Sequence, residues 1–522
     1  MSYPRKSYLD FLIVTTLALL LYLPFRSIQW DLNGIIEAQA IDSGGEGLVS
    51  PNHLLYRPLG LAAFTLFRSA GYGGHSVVIL QYITGIMAAI GIGLFWKWIK
   101  NLTGNVLVAS LACVLLATAW SQWKFSTDVY YITPAAAMVA FVLVIMSSPS
   151  PLTSSAIIKL GVFVALAILF WQANIFLIPI VALYLLWIRR ADSQKESWAN
   201  VSLFMMIVIV IVGLTYLAAG TLVHHSSNIQ DFTGWILSHS SEGTISLWGK
   251  WSADRFPSAA GSAIASFIPV WEGLGLRDLL RGNFNFAKLL AQLSLVAFVF
   301  LCLVTLIGIV RRRVALKLIL PYLLLLGLAY CVYALFIVWW DPYEPKWFVI
   351  PNLFLVTMLA LVWNISFNNR SRYVMIAGAC IMIIAVANFT YTIKPLHLYS
   401  NPKIRLAQCF VNNAGEKDTI LVTDWNWFDY ADYFYDYKGD RVYLIGDVID
   451  KSSKIQLIKD SLVKADDLGG HVYILDFGAY SQEELPFVEF LSGLTPADFD
   501  HFKQTEAFSC YGSRFIEIVD VK

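Results

Sequence analysis

The sequence predicts a mainly α-helical, polytopic membrane protein of about eleven spans with a small extracytoplasmic α/β domain on its C-terminal side. Three observations predict it. Of 522 residues, 57% are hydrophobic and 14% charged, with a mean hydropathy of +0.62, whereas soluble domains are nearer half apolar and a quarter charged. Apolar runs long enough to cross the hydrocarbon recur as far as residue 392. From Lys403 the pattern changes to short β-rich runs alternating with helical ones. A net charge of +1 offers no electrostatic basis for binding nucleic acid. The 18 Trp suit a protein with many helix ends at a water–lipid boundary.

The N-terminus carries Arg5 and Lys6 before its first apolar run, with no small-residue cleavage site after it, so a retained helix is expected rather than a signal peptide. Candidate spans are 9–26, 76–97, 104–121, 132–148, 156–171, 174–188, 200–223, 289–310, 317–339, 347–366 and 373–392. The pair 156–171 and 174–188 is separated only by "WQAN". Basic residues mark alternate boundaries: Arg5/Lys6, Lys97/Lys100, Arg189/Arg190, Arg311/Arg312/Arg313 and Arg370/Arg372. Only the boundary near 149–155 lacks them. Because cytoplasmic loops are enriched in Lys and Arg, this places the N-terminus in the cytoplasm, and an odd number of crossings places the C-terminal region outside.

The expected organisation is a membrane domain, 1–392, with outer loops 27–75 and 224–288, followed by an extracytoplasmic domain, 393–522. In the first loop "PLGLAAFTLFRSAGYGG" is too short to cross and contains Arg68, so it reads as an interfacial helix ended by glycines. "AIASFIPVWEGLGLRDLL" in the second loop has the same character. "TILVTDW", "RVYLIGD" and "HVYILDF" are the expected strands of the last domain, with "SSKIQLIKDSLVKA" as a helix between them. Cys409 and Cys510 are the only cysteines outside the spans, and an oxidising exterior permits a disulfide between them. Cys113, Cys302, Cys331 and Cys380 lie on apolar helices as packing residues. All eight histidines fall outside or at the outer edge, partly because His is rare in apolar helices.

Three short outer segments concentrate the polar residues: "WDLNGIIEAQAID" with "SPNHLLYRPLG" behind it, "WSQWKFSTDVYYITP", and "WWDPYEPKWFVIPN". An acid just after the first helix, then "HLLYRPLG" and an in-plane helix, resembles the first outer loop of the GT-C glycosyltransferase superfamily, nearest to its protein O-mannosyltransferase and aminoarabinose-transferase-like branches. "WSQWKFSTDVYYITPAA" resembles the second-loop pattern there, an acid before a tyrosine and the next helix, and "DPYEPKWFVIPNL" resembles the late segment of Tyr, basic residue and Pro. The resemblance covers residues 1–392, in layout more than in identities. The first loop departs from the usual adjacent acid pair: Asp31 is followed by Leu32, and the next acid is Glu37.

The resemblance implies transfer of a hexosyl or pentosyl group from a polyprenyl-phosphate carrier to an acceptor hydroxyl of a glycan, lipid or protein on the outer face. Such a reaction needs a carboxylate base for the attacking hydroxyl and fixed cations or donors for the leaving phosphate. Asp31 is the expected base, against helix capping or a solvated loop acid as its bland explanation, with Glu37 and Asp42 as alternates. Asp128 would orient acceptor or sugar, though capping the next helix explains it equally well. Lys346 and Arg57, supported by His53, are candidates for the phosphate, against ordinary snorkelling for Lys346. Tyr343, Glu344 and Tyr56 are candidates for substrate contact. The histidines are scattered and no HxxxH or DxD pattern accompanies the acids; some members with diphosphate donors use a divalent cation, but here a monophosphate donor without metal or other cofactor is expected.

Two other readings compete. A transporter or flippase of a lipid-linked glycan would carry ionisable groups at mid-membrane, whereas Lys159, near a cytoplasmic end, is the clearest charge within a span here. A non-catalytic scaffold presenting the C-terminal domain would leave the three polar loops unexplained. The aromatic-rich "DWNWFDYADYFYDYKGD" in that domain could stack on a glycan or pack a core. With no endoplasmic-reticulum signal visible, a prokaryotic plasma (inner) membrane and a role in cell-envelope glycan synthesis are expected.

Overall fold

The computed structural model describes residues 3–519 except 45, 148–151, 189–192, 242–248, 270–287, 368–370, 424–426, 447–449 and 481–484. Arg189, Arg190, Arg370 and the end of "AIASFIPVWEGLGLRDLL" therefore lie outside the described residues. The chain forms two compact units: one of 1–27, 40–237 and 251–398, the other of 28–39, 238–250 and 399–522.

The helices in chain order are α1 (Tyr3–Tyr22), α2 (Leu32–Ser43), α3 (Tyr56–Ser69), α4 (Ser76–Thr103), α5 (Val106–Thr118), α6 (Trp120–Ser126), α7 (Ile132–Met146), α8 (Ser154–Phe170), α9 (Leu177–Leu183) and α10 (Gln194–Ala218). They continue with α11 (Ile229–Ser241), α12 (Arg255–Ala265), α13 (Leu289–Arg311), α14 (Arg313–Trp340), α15 (Val349–Phe367), α16 (Ser371–Asn388) and α17 (Lys394–Leu398). This is an integral membrane protein. Among the described residues, seven helices are long and apolar enough to cross a membrane, or eight if the bent pair α5–α6 is one span. The other three of the eleven predicted spans coincide with shorter apolar helices, Ile132–Met146, Ser154–Phe170 and Gln172–Ile188.

Local chemistry sets the helix ends. Gly104, at φ +66°, takes the left-handed conformation that closes α4, and the Asn105 side chain then accepts from the Leu107 and Val108 amides to start α5. This end of the unit is basic. Lys100 Nζ meets Asp10 Oδ2 at 2.5 Å, Lys97 lies over the Tyr8 ring, and Arg311 Nη1 donates to the Tyr373 hydroxyl at 3.0 Å.

At the opposite end two helix breaks expose backbone that hydrocarbon cannot satisfy. Between α5 and α6 the axis bends by 65°. The Trp120 and Ser121 amides there donate to the Phe267 and Ser266 carbonyls at 3.3 and 2.9 Å. Asn388 Nδ2 donates to the carbonyls of Thr118 and Phe267 at 2.7 and 2.8 Å. After α8 the chain extends at Trp171. There the first-loop backbone is stitched in: Leu55 N donates to Leu169 O at 3.0 Å and Gln172 N to Asn52 O at 2.8 Å.

The second unit contains a five-stranded sheet, with strands β1 (Thr419–Val422), β2 (Asp440–Tyr443), β3 (Val472–Leu475), β4 (Lys503–Cys510) and β5 (Ser513–Val519). Their order is β2-β1-β3-β5-β4. β1 pairs in parallel with β2 and β3, while β5 runs antiparallel to β3 and β4. The three predicted strands are the parallel ones, and the β4–β5 hairpin adds the antiparallel edge. Helices α18 (Pro402–Asn413), α19 (Phe428–Tyr435), α20 (Lys451–Leu468) and α21 (Leu485–Ser492) complete it. Ile458 and Leu462 of α20 share a buried cluster with Leu421, Ile474 and Ile518 of the sheet. A second cluster centres on Phe410, whose ring lies 5.2 Å from Trp427, 5.2 Å from Tyr437 and 5.1 Å from Phe515. Trp427, Phe428 and Tyr437 of the aromatic-rich segment thus pack a core; Asp424, Trp425 and Asn426 lie outside the described residues.

Cys409 and Cys510 form a disulfide across 101 residues, Cα to Cα 5.8 Å, tying α18 to β4. Closing a loop of that size restricts the unfolded chain strongly. Replacing both cysteines with serine is expected to lower the stability of this unit by about 2–5 kcal/mol, checked by denaturant unfolding of the double variant beside the oxidised and reduced wild type.

Candidate active site

The site is built on the first unit at the end with the two breaks. Gln81 Nε2 on α4 donates to the carbonyls of both Ser27 and Thr127, at 2.8 and 2.7 Å, and Ser27 N donates to Thr127 O at 2.8 Å. This knot fixes the turn that carries Asp128, which is fully buried and accepts from the Val129 amide at 2.7 Å.

From there aromatic rings form a continuous wall. Tyr130 stacks on Tyr131 at 4.8 Å, and His53 stacks on the other partner, Tyr131, at 4.2 Å. Tyr56 meets Tyr131 edge-on, and its hydroxyl pairs with Thr84 Oγ1 at 2.8 Å. On the other side Tyr130 contacts Trp347 edge-on at 6.4 Å, and Trp347 stacks on Trp171 at 5.8 Å. The stitched first loop brings His53 and Tyr56 to this wall.

The α14–α15 turn supplies charge. Lys346 is only 7% exposed; its Nζ lies 5.4 Å from the Tyr130 ring centre, 5.2 Å from that of Trp347, and 3.7 Å from Glu344 Oε2. Rings around an ammonium offer their negative faces in place of water. Asp341 opens the turn, also buried, its Oδ2 accepting from Trp347 Nε1 at 3.1 Å and its Oδ1 from the Tyr343 amide at 3.2 Å. Burial and the nearby Glu344 carboxylate push the Asp341 pKa up from the ordinary aspartate value, against the pull of the Trp347 hydrogen bond and Lys346. Arg255, 3% exposed, donates from Nη2 to Trp340 O at 2.9 Å, and Ser262 Oγ to Pro342 O at 2.7 Å, so α12 braces the same turn.

A carboxyl with a raised pKa holds its proton in the folded state over a pH range where the unfolded chain has lost it. Its stabilisation is complete below the ordinary aspartate range and is lost as pH rises through the raised value. Asp341→Asn removes that loss, so the variant should gain stability relative to wild type as pH rises from acid to neutral. Thermal unfolding of both proteins across this range checks the sign.

The candidate residues from the sequence fall into two groups. His53, Tyr56 and Lys346 lie against the aromatic wall, with Glu344 beside Lys346 and Asp128 in the turn two residues before Tyr130. Tyr343 is 39% exposed, and Arg57 donates through Nη1 to the Gly47 carbonyl. Asp31 and Glu37 belong to the second unit. Asp31 starts α2: its Oδ1 accepts from the Asn33 amide at 3.1 Å and from Asn33 Nδ2 at 2.9 Å. Glu37 is buried on the same helix. Asp42 is 3.4 Å from the Ser76 amide and 3.8 Å from His75 Nδ1, at the start of α4.

Two residues not among the sequence candidates, Asp341 and Arg255, are buried at the same turn as Lys346. An acid immediately after an apolar span was the signal that selected Asp31, and it applied equally to Asp341. Arg255 carried no such signal. Among the described residues no three His, Cys, Asp or Glu side chains converge as metal ligands.

The fold matches solved structures along the whole chain. ArnT from Cupriavidus metallidurans bound to undecaprenyl phosphate superposes with a TM-score of 0.57, 11% identity and 98% of each chain covered. ArnT from the same organism in the apo state gives 0.56, 11% and 97% of each chain. The Archaeoglobus fulgidus oligosaccharyltransferase, tethered by a disulfide to an acceptor peptide containing the NVT sequon, gives 0.54 and 12%, over 100% of this chain and 74% of that one. The chain therefore has the fold of the GT-C glycosyltransferases. No family model and no curated protein matches the sequence.

Proposed function

We propose that the protein is a membrane glycosyltransferase that moves a sugar from a polyprenyl-phosphate carrier to an acceptor hydroxyl on the extracytoplasmic face, with inversion. One observation carries the reading beyond fold. Among the described residues of the first unit, the buried Asp, Glu, Lys, Arg and His side chains are His53, Asp128, Arg255, Asp341 and Lys346, all at the aromatic end. Burying charge is costly unless a task or partner compensates it. A transporter would spread such groups toward mid-membrane; chemistry on a lipid-anchored substrate needs them at one surface.

In the proposed reaction the acceptor oxygen attacks the anomeric carbon, the bond from that carbon to the phosphate oxygen breaks, and polyprenyl phosphate leaves. Asp31 takes the acceptor proton, with Glu37 or Asp128 as the alternates. Lys346, with Arg57 and His53, offsets the charge that develops on the leaving phosphate. Tyr56, Tyr343 and Glu344 contact the substrates. The reading includes eleven crossings, a cytoplasmic N-terminus, an external C-terminal unit and a prokaryotic inner membrane. The sugar is a hexose or pentose, the acceptor a glycan, lipid or protein, and no cofactor takes part.

The test is transfer of radiolabelled sugar by purified protein from a panel of polyprenyl-phosphate sugars, with and without a chelator and with candidate acceptors. Turnover from one donor supports the reading. Binding of a donor followed by its movement across a vesicle bilayer without transfer would replace it with a flippase, and failure to bind any lipid-phosphate sugar would overturn it.

A further inference from the structure

The segment carrying Asp31 and Glu37 is short. A helix of 12 residues such as α2 is marginal in water without packing, yet a base must sit within about 0.5 Å of its working position. Something must hold it.

In the second unit the holder is α19. Just before Asp31, the Tyr430 hydroxyl donates to the Trp30 carbonyl, and the Trp30 ring lies 5.5 Å from that of Phe434. Just beyond Glu37, the Gln39 side-chain amide donates to Asp432 Oδ2. Asp432 is itself fixed by Arg441 of β2, whose Nη1 stands 2.9 Å away, and the Arg441 guanidinium lies over the Phe428 ring at 5.9 Å. The acid-bearing segment is thus pinned on both sides of its two carboxylates. The pins are rigid because α19 is rooted in the Phe410 cluster through Phe428, and Tyr430 is 1% exposed.

We infer that the C-terminal α/β domain serves the reaction as the positioning element of its base, with Tyr430, Asp432 and Arg441 as positioning residues acting through Trp30 and Gln39. The catalytic half of this inference rests on the glycosyl-transfer reading and on the base lying in the segment 28–39. Its mechanical half, that α19 and β2 order this segment, does not. The domain is then part of the enzyme rather than a module displayed to a partner.

The experiment uses the full-length protein and four variants. Tyr430→Phe removes one hydroxyl and keeps the ring. Asp432→Ala removes the acceptor of both Gln39 and Arg441, while Asp432→Asn keeps an acceptor for Gln39. Lys464→Ala cuts an exposed ion pair between α20 and Asp440, touching neither Tyr430 nor Asp432, and serves as the control. Amide hydrogen exchange over residues 28–39 and steady-state kinetics with the lipid-linked donor are both measured.

Tyr430→Phe and Asp432→Ala should speed exchange in this segment and lower kcat by on the order of 10- to 100-fold, with KM for the donor unchanged. Asp432→Asn should recover most of the loss, and Lys464→Ala should resemble wild type. Exchange unchanged in both Tyr430→Phe and Asp432→Ala overturns the mechanical half, whatever the activity. Faster exchange with undiminished kcat overturns the catalytic half and leaves the glycosyltransferase standing. If the wild type binds no lipid-phosphate sugar, the underlying reading falls and takes the catalytic half with it, and exchange alone then decides the mechanical half.

Discussion

Asp31→Asn is expected to lower kcat by about 10²- to 10⁴-fold, the range for removing a positioned general base, while KM for the lipid-linked donor stays close to wild type. The substitution is well suited to separate two roles. Asp31 caps α2 by accepting from Asn33, and Asn is as good a helix cap as Asp. The variant therefore keeps the cap and loses only the proton acceptor. A lost kcat in a protein whose thermal unfolding matches wild type identifies the base. An undiminished kcat transfers the assignment to Glu37 or Asp128, which Glu37→Gln and Asp128→Asn then distinguish.

The second large effect is expected at Lys346. Lys346→Met keeps the length and the apolar stem between Tyr130 and Trp347 but removes the ammonium. If that charge meets the donor phosphate, the loss should be about 2–5 kcal/mol, as for a buried charge partner. It should appear as weaker binding of a polyprenyl phosphate without sugar, together with a lower kcat/KM. Lys346→Arg should restore little. A planar guanidinium cannot replace a compact ammonium between two ring faces without moving them. Unchanged affinity in Lys346→Met would leave the residue as a packing element of the aromatic wall and move the phosphate to Arg57 and His53.

Much of the fold was legible in the sequence because apolar runs and β-rich runs report directly on burial. The spans and the three parallel strands follow from such runs. The β4–β5 hairpin did not stand out: β4 is an edge strand whose first five residues, Lys503–Ala507, are all exposed, so it lacks the apolar signal of a buried strand. The burial of the candidate residues was legible only in part. Clustering of polar residues at span ends singled out Asp128, His53 and Lys346; His53 and Lys346 lie against the aromatic wall, and Asp128 is buried in the turn two residues before Tyr130. That His53 stacks on Tyr131, 78 positions away, depends on first-loop backbone docking into the break after α8, which no local pattern encodes. The burial of Arg255 has the same origin, since only the packing of α12 against the α14–α15 turn hides it. The role of α19 is a third case: "DYADYFY" shows an aromatic helix, but its engagement with Trp30 and Gln39 arises only in three dimensions.

The disulfide has a consequence for biogenesis. Cys409 and Cys510 are 101 residues apart, and the segment between them contains β1, β2 and β3 with their connecting helices. During synthesis Cys409 emerges first, and its mate follows only with β4. The other four cysteines sit on apolar helices, so within the chain it has a single eligible mate. The cross-link is thus tied late and in only one way. Maturation of this domain calls for an oxidant, whereas a disulfide isomerase would have no wrong pairing within the chain to correct.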